Sequence, residues 1–125
     1  MDTNVVLRFL TGDDQVQSSV ARAIMAEAFI LPTSVFLETE WVLRSWYRWT
    51  RPMIVHGLRL LIDLPALHDL PPNAIWALNR YEAGADFADV VHIASTTHAT
   101  IFATFDGSIA GDAGQDSPIP VETLI

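Results

Sequence analysis

Apolar and polar residues follow one another in this chain with two periods, one typical of amphipathic helices and one of short buried strands. In the second predicted helix, apolar residues recur at every fourth position and indicate its buried face: Val16, Val20, Ile24 and Ala28. Helices are predicted over residues 4–10, 13–28, 33–48, 52–64, 71–84 and 87–99. Strands are predicted over residues 29–31, 66–70, 101–105 and 119–121.

Helices and short strands alternate along the whole chain, which favours parallel strands joined by helical crossovers. No internal repeat, linker or low-complexity tract interrupts the pattern. The pattern therefore predicts a single domain over residues 1–125, of the α/β class. We expect a three-layer α/β/α sandwich with a short parallel central sheet.

Composition narrows the classes of function. With 125 residues, half of them apolar, the chain is long enough to bury a core. It has no cysteine, which excludes disulfides and thiolate metal sites and fits a cytoplasmic protein. No apolar run approaches the roughly 20 residues that span a bilayer, so no membrane role is expected. The net charge of −8 argues moderately against a nucleic-acid partner, because phosphate contacts usually come from a basic surface.

Four acidic residues stand where predicted strands end or helices begin: Asp2, Glu38, Asp89 and Asp106. The carboxyl ends of parallel strands meet at one edge of an α/β sheet, where such folds place their active sites. Carboxylates that meet repel one another, and a hard divalent cation relieves that repulsion. The four positions therefore predict metal-assisted hydrolysis.

Four stretches that contain these residues, DTNVVLRFL, FLETEWVLR, YEAGADFADVVHIA and ATFDGSIA, occur in the order and spacing of a known family. The chain resembles the PIN-domain ribonucleases, and specifically the VapC-type toxins of bacterial toxin–antitoxin pairs. The resemblance implies a PIN-like fold in which Asp2, Glu38, Asp89 and Asp106 hold Mg²⁺ or Mn²⁺. It also implies an RNA substrate, a cognate antitoxin protein and a homodimer. Family members carry apolar residues before the first Asp, whereas only Met1 precedes Asp2 here, so the first strand is expected to be truncated.

Supporting roles stay open between a functional and a structural interpretation. Asp86, one helical turn before Asp89, either supports the site or caps its helix. Asn4 either ties down the segment beside Asp2 or caps the first helix. Thr104 either bonds a carboxylate or phosphate, or is an ordinary strand threonine. The Asp106-Gly107 pair is also a common turn sequence.

Residues 41–51 read WVLRSWYRWTR and concentrate aromatic and basic side chains. Three of its arginines recur at i, i+4 and i+7, which places Arg44, Arg48 and Arg51 on one helical face. We expect this segment to contact RNA or the antitoxin; alternatively, its aromatic residues pack in a core or a dimer interface while the arginines are solvated. For the whole chain, the competing hypothesis is a catalytically silent PIN-like protein-interaction module.

Overall fold

The computed structural model describes residues 2–96 and 98–125, so Met1 and Thr97 lie outside the described residues. The chain divides into two compact units, Met1–Pro71 and Pro72–Ile125. The predicted remnant of a first strand at Met1 also lies outside the described residues.

In its described residues, the first unit contains four helices and two short strands. In chain order these are α1 (Thr3–Thr11), α2 (Gln15–Met25), β1 (Phe29–Ile30), α3 (Thr33–Ser45), α4 (Arg51–Ile62) and β2 (Leu67–Asp69). Strands β1 and β2 pair in parallel. The α1 helix contacts both α2 and α3. It ends at Gly12, whose φ of 63° lies in the left-handed region that glycine adopts without strain.

The predicted buried face of α2 is wrong. Val16 and Val20 are 76% and 54% exposed, and Ile24 and Ala28 are also exposed. The helix instead buries Ser18, Ala21 and Met25. Small residues let α2 lie close to its neighbour, and the Ser18 hydroxyl donates a hydrogen bond to the Arg8 carbonyl oxygen at 2.8 Å.

The third helix is shorter than predicted, because it ends at Ser45 rather than continuing through Arg48. The Trp46 N–H still donates to the Val42 carbonyl oxygen, and Arg48 then adopts a left-handed φ of 60°. Arg51 begins the separate helix α4, which Thr50 caps. The predicted common face of Arg44, Arg48 and Arg51 is therefore wrong.

Leaving out Thr97, which is not described, the second unit contains three helices and two strands. In chain order these are α5 (Ala74–Glu82), α6 (Phe87–Ala94), β3 (Phe102–Thr104), α7 (Ile109–Ala113) and β4 (Val121–Thr123). Strands β3 and β4 pair in parallel. A buried cluster contains Ile93 of α6, Ile109 and Ala113 of α7, and Ile119. The α7 helix was not predicted, and α6 ends five residues earlier than expected.

The predicted α/β class with short parallel strands is confirmed. Among the described residues, however, the strands form two two-stranded sheets, one in each unit. The α1 helix begins directly after Asp2. None of the described helices is long and apolar enough to cross a membrane.

Candidate active site

Two of the four predicted carboxylates, Asp2 and Glu38, lie in the first unit and line the same surface cavity. Its volume is about 240 Å³. It is lined by Asp2, Thr3 and Asn4 at the beginning of α1 and by Ser34, Val35 and Glu38 of α3. Both carboxylates are exposed. The contact between α1 and α3 thus brings together two acidic residues that are 36 positions apart in the sequence.

Local helix chemistry fixes Asp2. It is the N-cap of α1, and its Oδ1 accepts a hydrogen bond from the Val5 N–H at 3.2 Å. A carboxylate at this position satisfies a backbone donor and interacts favourably with the helix dipole. The cap bond thus orients the Asp2 carboxylate from within α1. Asn4 lies inside α1 and lines the cavity, so its interpretation as the cap is wrong.

The second unit places Asp86 and Asp89 at the beginning of α6. Asp86 is the N-cap, and its Oδ2 accepts a hydrogen bond from the Asp89 N–H at 3.1 Å. The capping interpretation of Asp86 is thus confirmed. The same contact holds the Asp86 carboxyl group one turn from that of Asp89, where its charge acts on Asp89.

The pKa of Asp89 is raised from 3.8 to about 6. Burial is the largest cause, because it removes water from the charged form. The negative charge of Asp86 raises the pKa further. Asp112 raises it through a hydrogen bond and through its charge, and the charge of Asp106 has the smallest effect. Asp89 is therefore the carboxyl group on which the acidic residues of this unit act together.

Asp106 follows β3 by two residues and is held by a tight turn. Its Oδ1 accepts hydrogen bonds from the Ser108 hydroxyl at 2.7 Å and from the Ser108 N–H at 2.9 Å. These two bonds lower the pKa of Asp106 below its ordinary value. Thr104 supports the turn, since its Oγ1 accepts a hydrogen bond from the Asp106 N–H at 3.0 Å. Neighbouring carboxyl groups whose pKa values are pushed in opposite directions are typical of catalytic sites.

Asp112 is the residue of this cluster that sequence reasoning missed. It lies on α7, and its side chain hydrogen-bonds the Asp89 carboxyl group. Arg80 holds the backbone of α7, because its Nε donates to the Asp112 carbonyl oxygen at 2.8 Å and its Nη2 to the Gly111 carbonyl oxygen at 3.1 Å. The only sequence signal is a second Asp six residues after Asp106. Without knowledge of α7, this spacing does not indicate that Asp112 lies near Asp89.

The three arginines have separate surroundings. Arg44 donates from its Nε to the Glu40 carboxylate at 2.8 Å, and Glu40 is buried in α3. Arg44 therefore has a structural role in its helix. Arg48 and Arg51 are exposed. The predicted contact of Arg44, Arg48 and Arg51 with RNA or an antitoxin stays a prediction.

The donor set fits a hard divalent cation by its chemistry. All candidate ligands are carboxylate oxygens, which suit Mg²⁺ or Mn²⁺, and a cation would relieve the repulsion between Asp89 and its acidic neighbours. Within residues 2–96 and 98–125, no three His, Asp or Glu side chains form a group arranged to hold a metal ion. The assembly of Asp2, Glu38, Asp89 and Asp106 around one site stays a prediction.

Comparison with known proteins gives one match. The chain matches the PIN domain over residues 1–111, a range that includes all four predicted carboxylates. No curated protein and no solved structure matches it significantly. Because PIN domains are generally nucleases, the match supports a hydrolytic function of the nuclease type. The matched range covers far more than half of the sequence, and the chain therefore belongs to the PIN domain family.

Proposed function

We propose that this protein is a metal-dependent endoribonuclease that acts in the cytoplasm as the VapC-type toxin of a toxin–antitoxin pair. The observation that carries the proposal is the acidic cluster around Asp89 in a chain that matches the PIN domain. Burying a carboxyl group among three others destabilises the protein. A cluster of this kind is expected where it binds a cation or moves a proton.

The proposed ligands of Mg²⁺ or Mn²⁺ are Asp2, Glu38, Asp89 and Asp106. When bound, the cation would polarise water and neutralise charge on the phosphodiester. Asp106, with its lowered pKa, is ionised at neutral pH and accepts protons poorly. Asp89, with a pKa of about 6, takes up a proton near neutral pH. Protons therefore compete with a cation at Asp89, and activity should fall as the pH decreases below about 6.

The protein partners proposed are a cognate antitoxin and a second copy of the chain. Two exposed valines and an isoleucine on α2, Val16, Val20 and Ile24, support a protein partner. Together with Val5 and Ala21 they line a groove of about 220 Å³ between α1 and α2. Exposed apolar side chains that continue along a groove often mark protein–protein contacts.

Cleavage of RNA by the purified protein tests the proposal. We expect cleavage with Mg²⁺ or Mn²⁺ and none with excess chelator. Asp89→Asn should remove at least about 99% of the activity, because an amide oxygen is a weaker cation ligand than a carboxylate and the amide group does not ionise. Asp116→Asn is the matched control, since it removes an exposed carboxylate of the same unit. Full cleavage by Asp89→Asn would refute the assignment of the site.

The α2 surface also favours a second candidate function, a catalytically silent PIN-like interaction module. That alternative predicts no cleavage under any metal condition and a stable complex with the protein encoded by a neighbouring gene. The nuclease hypothesis predicts both cleavage and its inhibition by that partner. The two are separated by measuring RNA cleavage by the purified protein with and without the partner.

A further inference from the structure

Trp41 is an exposed aromatic residue on an otherwise polar face of α3. Four exposed residues share that face at helical spacing: Ser34, Glu38, Trp41 and Ser45. The indole is 57% exposed although it is the only apolar member of the row. The row lies on the side of α3 opposite its buried residues Val35, Phe36, Thr39, Glu40 and Leu43, so Trp41 is not part of the core beneath this helix.

The row connects Trp41 to the carboxylate cavity of the first unit. Ser34 and Glu38 line that cavity together with Asp2. Trp41 follows Glu38 by three residues, so the two side chains are neighbours on the helix surface, with about 5–6 Å between Cβ atoms. One helical turn is about the span from the phosphate of a nucleotide to its base. A phosphate at the cavity would therefore place an adjacent base within reach of the indole.

We propose that Trp41 is a nucleobase-stacking platform, which positions single-stranded RNA beside the carboxylates Asp2 and Glu38. This inference rests on the proposed ribonuclease function. When RNA is bound, the face of the Trp41 indole contacts the base of the nucleotide at the cavity. Trp41 is a positioning residue and sets affinity through stacking, which every base offers.

Because the protein carries a negative net charge, stacking has to supply a larger share of the RNA affinity than phosphate contacts do. With a net charge of −8 and no lysine, the protein attracts the phosphate backbone weakly. Counterion release, which supplies most of the affinity of basic nucleic-acid binders, is therefore small. An aromatic contact adds affinity that does not depend on charge. We expect RNA binding that responds weakly to salt and strongly to loss of the indole.

The composition of the row favours RNA over a second copy of the chain at this position. A stable protein interface buries at least about 1,200 Å² and has an apolar centre depleted of charge. Trp41 stands between Glu38 and Ser45, and one tryptophan buries at most about 250 Å². A single exposed ring beside a carboxylate fits a nucleobase better than the centre of a dimer interface.

The experiment measures binding of a labelled single-stranded RNA oligonucleotide in chelator, so that no cleavage occurs. Trp41→Ala is expected to weaken binding about 10-fold, within the range for one stacked base, and Trp41→Phe by less. Ile75→Ala is the matched control. Ile75 lies on α5 and is 55% exposed, about as much as Trp41, and its variant should bind RNA as the wild type does.

Two further measurements separate stacking from a structural effect. An oligonucleotide without bases should bind Trp41→Ala and wild type equally, and the dependence of binding on salt should be the same for both. Unchanged RNA affinity of Trp41→Ala, or equal losses in Trp41→Ala and Ile75→Ala, would overturn the inference. So would a dimer that dissociates in Trp41→Ala while RNA affinity per chain is unchanged, because Trp41 would then contact a second copy.

The outcomes also distinguish this inference from the proposed function. Binding that depends on Trp41 in a protein that never cleaves RNA supports the platform and rejects the nuclease. Metal-dependent cleavage with KM and kcat unchanged in Trp41→Ala supports the nuclease and rejects the platform. A wild-type protein that binds no RNA rejects both.

Discussion

Replacing Asp89 by Asn should stabilise the protein at neutral pH while it removes activity. The raised pKa means that the folded state favours the protonated carboxyl group, so ionisation at pH 7 destabilises the fold. The rise from 3.8 to about 6 corresponds to at most about 3 kcal/mol, since each pKa unit is worth about 1.4 kcal/mol. Asp89 is partly exposed, and screening by solvent reduces this to about 1–2 kcal/mol.

Asn removes the charge without changing the shape of the side chain. Its amide group also donates a hydrogen bond to a neighbouring carboxylate, as the protonated Asp89 does. We therefore expect the Tm of Asp89→Asn at pH 7.5 to exceed that of the wild type by roughly 3–10 °C. The measurement is thermal unfolding in excess chelator, because a bound cation would neutralise the repulsion. Asp116→Asn, which changes an exposed carboxylate, should leave the Tm unchanged.

The pH dependence gives the sign of the effect. Because the pKa of Asp89 is higher in the folded state, its stabilising contribution is complete below the unfolded pKa of about 4 and is lost as the pH rises through about 6. The difference in Tm between Asp89→Asn and wild type should therefore be absent at pH 4 and largest above pH 7. Equal Tm values at pH 7.5, or a difference that grows towards acid pH, would refute the reasoning.

Three further predictions follow from buried contacts. Val20→Asp should change the free energy of unfolding by less than about 0.5 kcal/mol, whereas Ala21→Asp should lower it by more than about 3 kcal/mol, because Val20 is exposed and Ala21 is buried. Urea denaturation measures both effects, and equal effects would contradict the orientation of α2. Arg44→Met should destabilise the fold by about 1–3 kcal/mol, because it removes the guanidinium that donates a hydrogen bond to the buried carboxylate of Glu40. Unchanged unfolding in urea would show that this ion pair does not stabilise the fold. Arg80→Leu should lower the free energy of unfolding by about 1–3 kcal/mol and speed amide hydrogen exchange in α7, because Arg80 donates hydrogen bonds to two carbonyl oxygens of that helix. Exchange at the wild-type rate would show that Arg80 does not stabilise α7.

Local chemistry in the sequence determined much of the fold. Asp14 caps α2, Thr50 caps α4 and Gly12 caps the end of α1. The parallel pairing of short strands also agrees with the alternating pattern. These features depend on contacts within a few residues, and a pattern of residue types is enough to specify them.

The buried side of a helix depends on its neighbour and not on its own apolar residues. The row that begins at Val16 predicted the inner face of α2, but close packing on α1 selected Ser18 and Ala21 instead. The end of α3 is a similar case. Arg44, Arg48 and Arg51 have helical spacing, yet the chain turns at Trp46 and separates them.

The sequence by itself predicted which carboxylates form the site, because residue type and order can be compared with a family without coordinates. Only the tertiary structure gave them unequal properties. It placed Asp2 and Glu38 in one cavity, lowered the pKa of Asp106 by a turn, and raised that of Asp89 by burial beside Asp112. Burial and charge repulsion depend on distances between residues far apart in the sequence, and those distances exist only after the chain has folded.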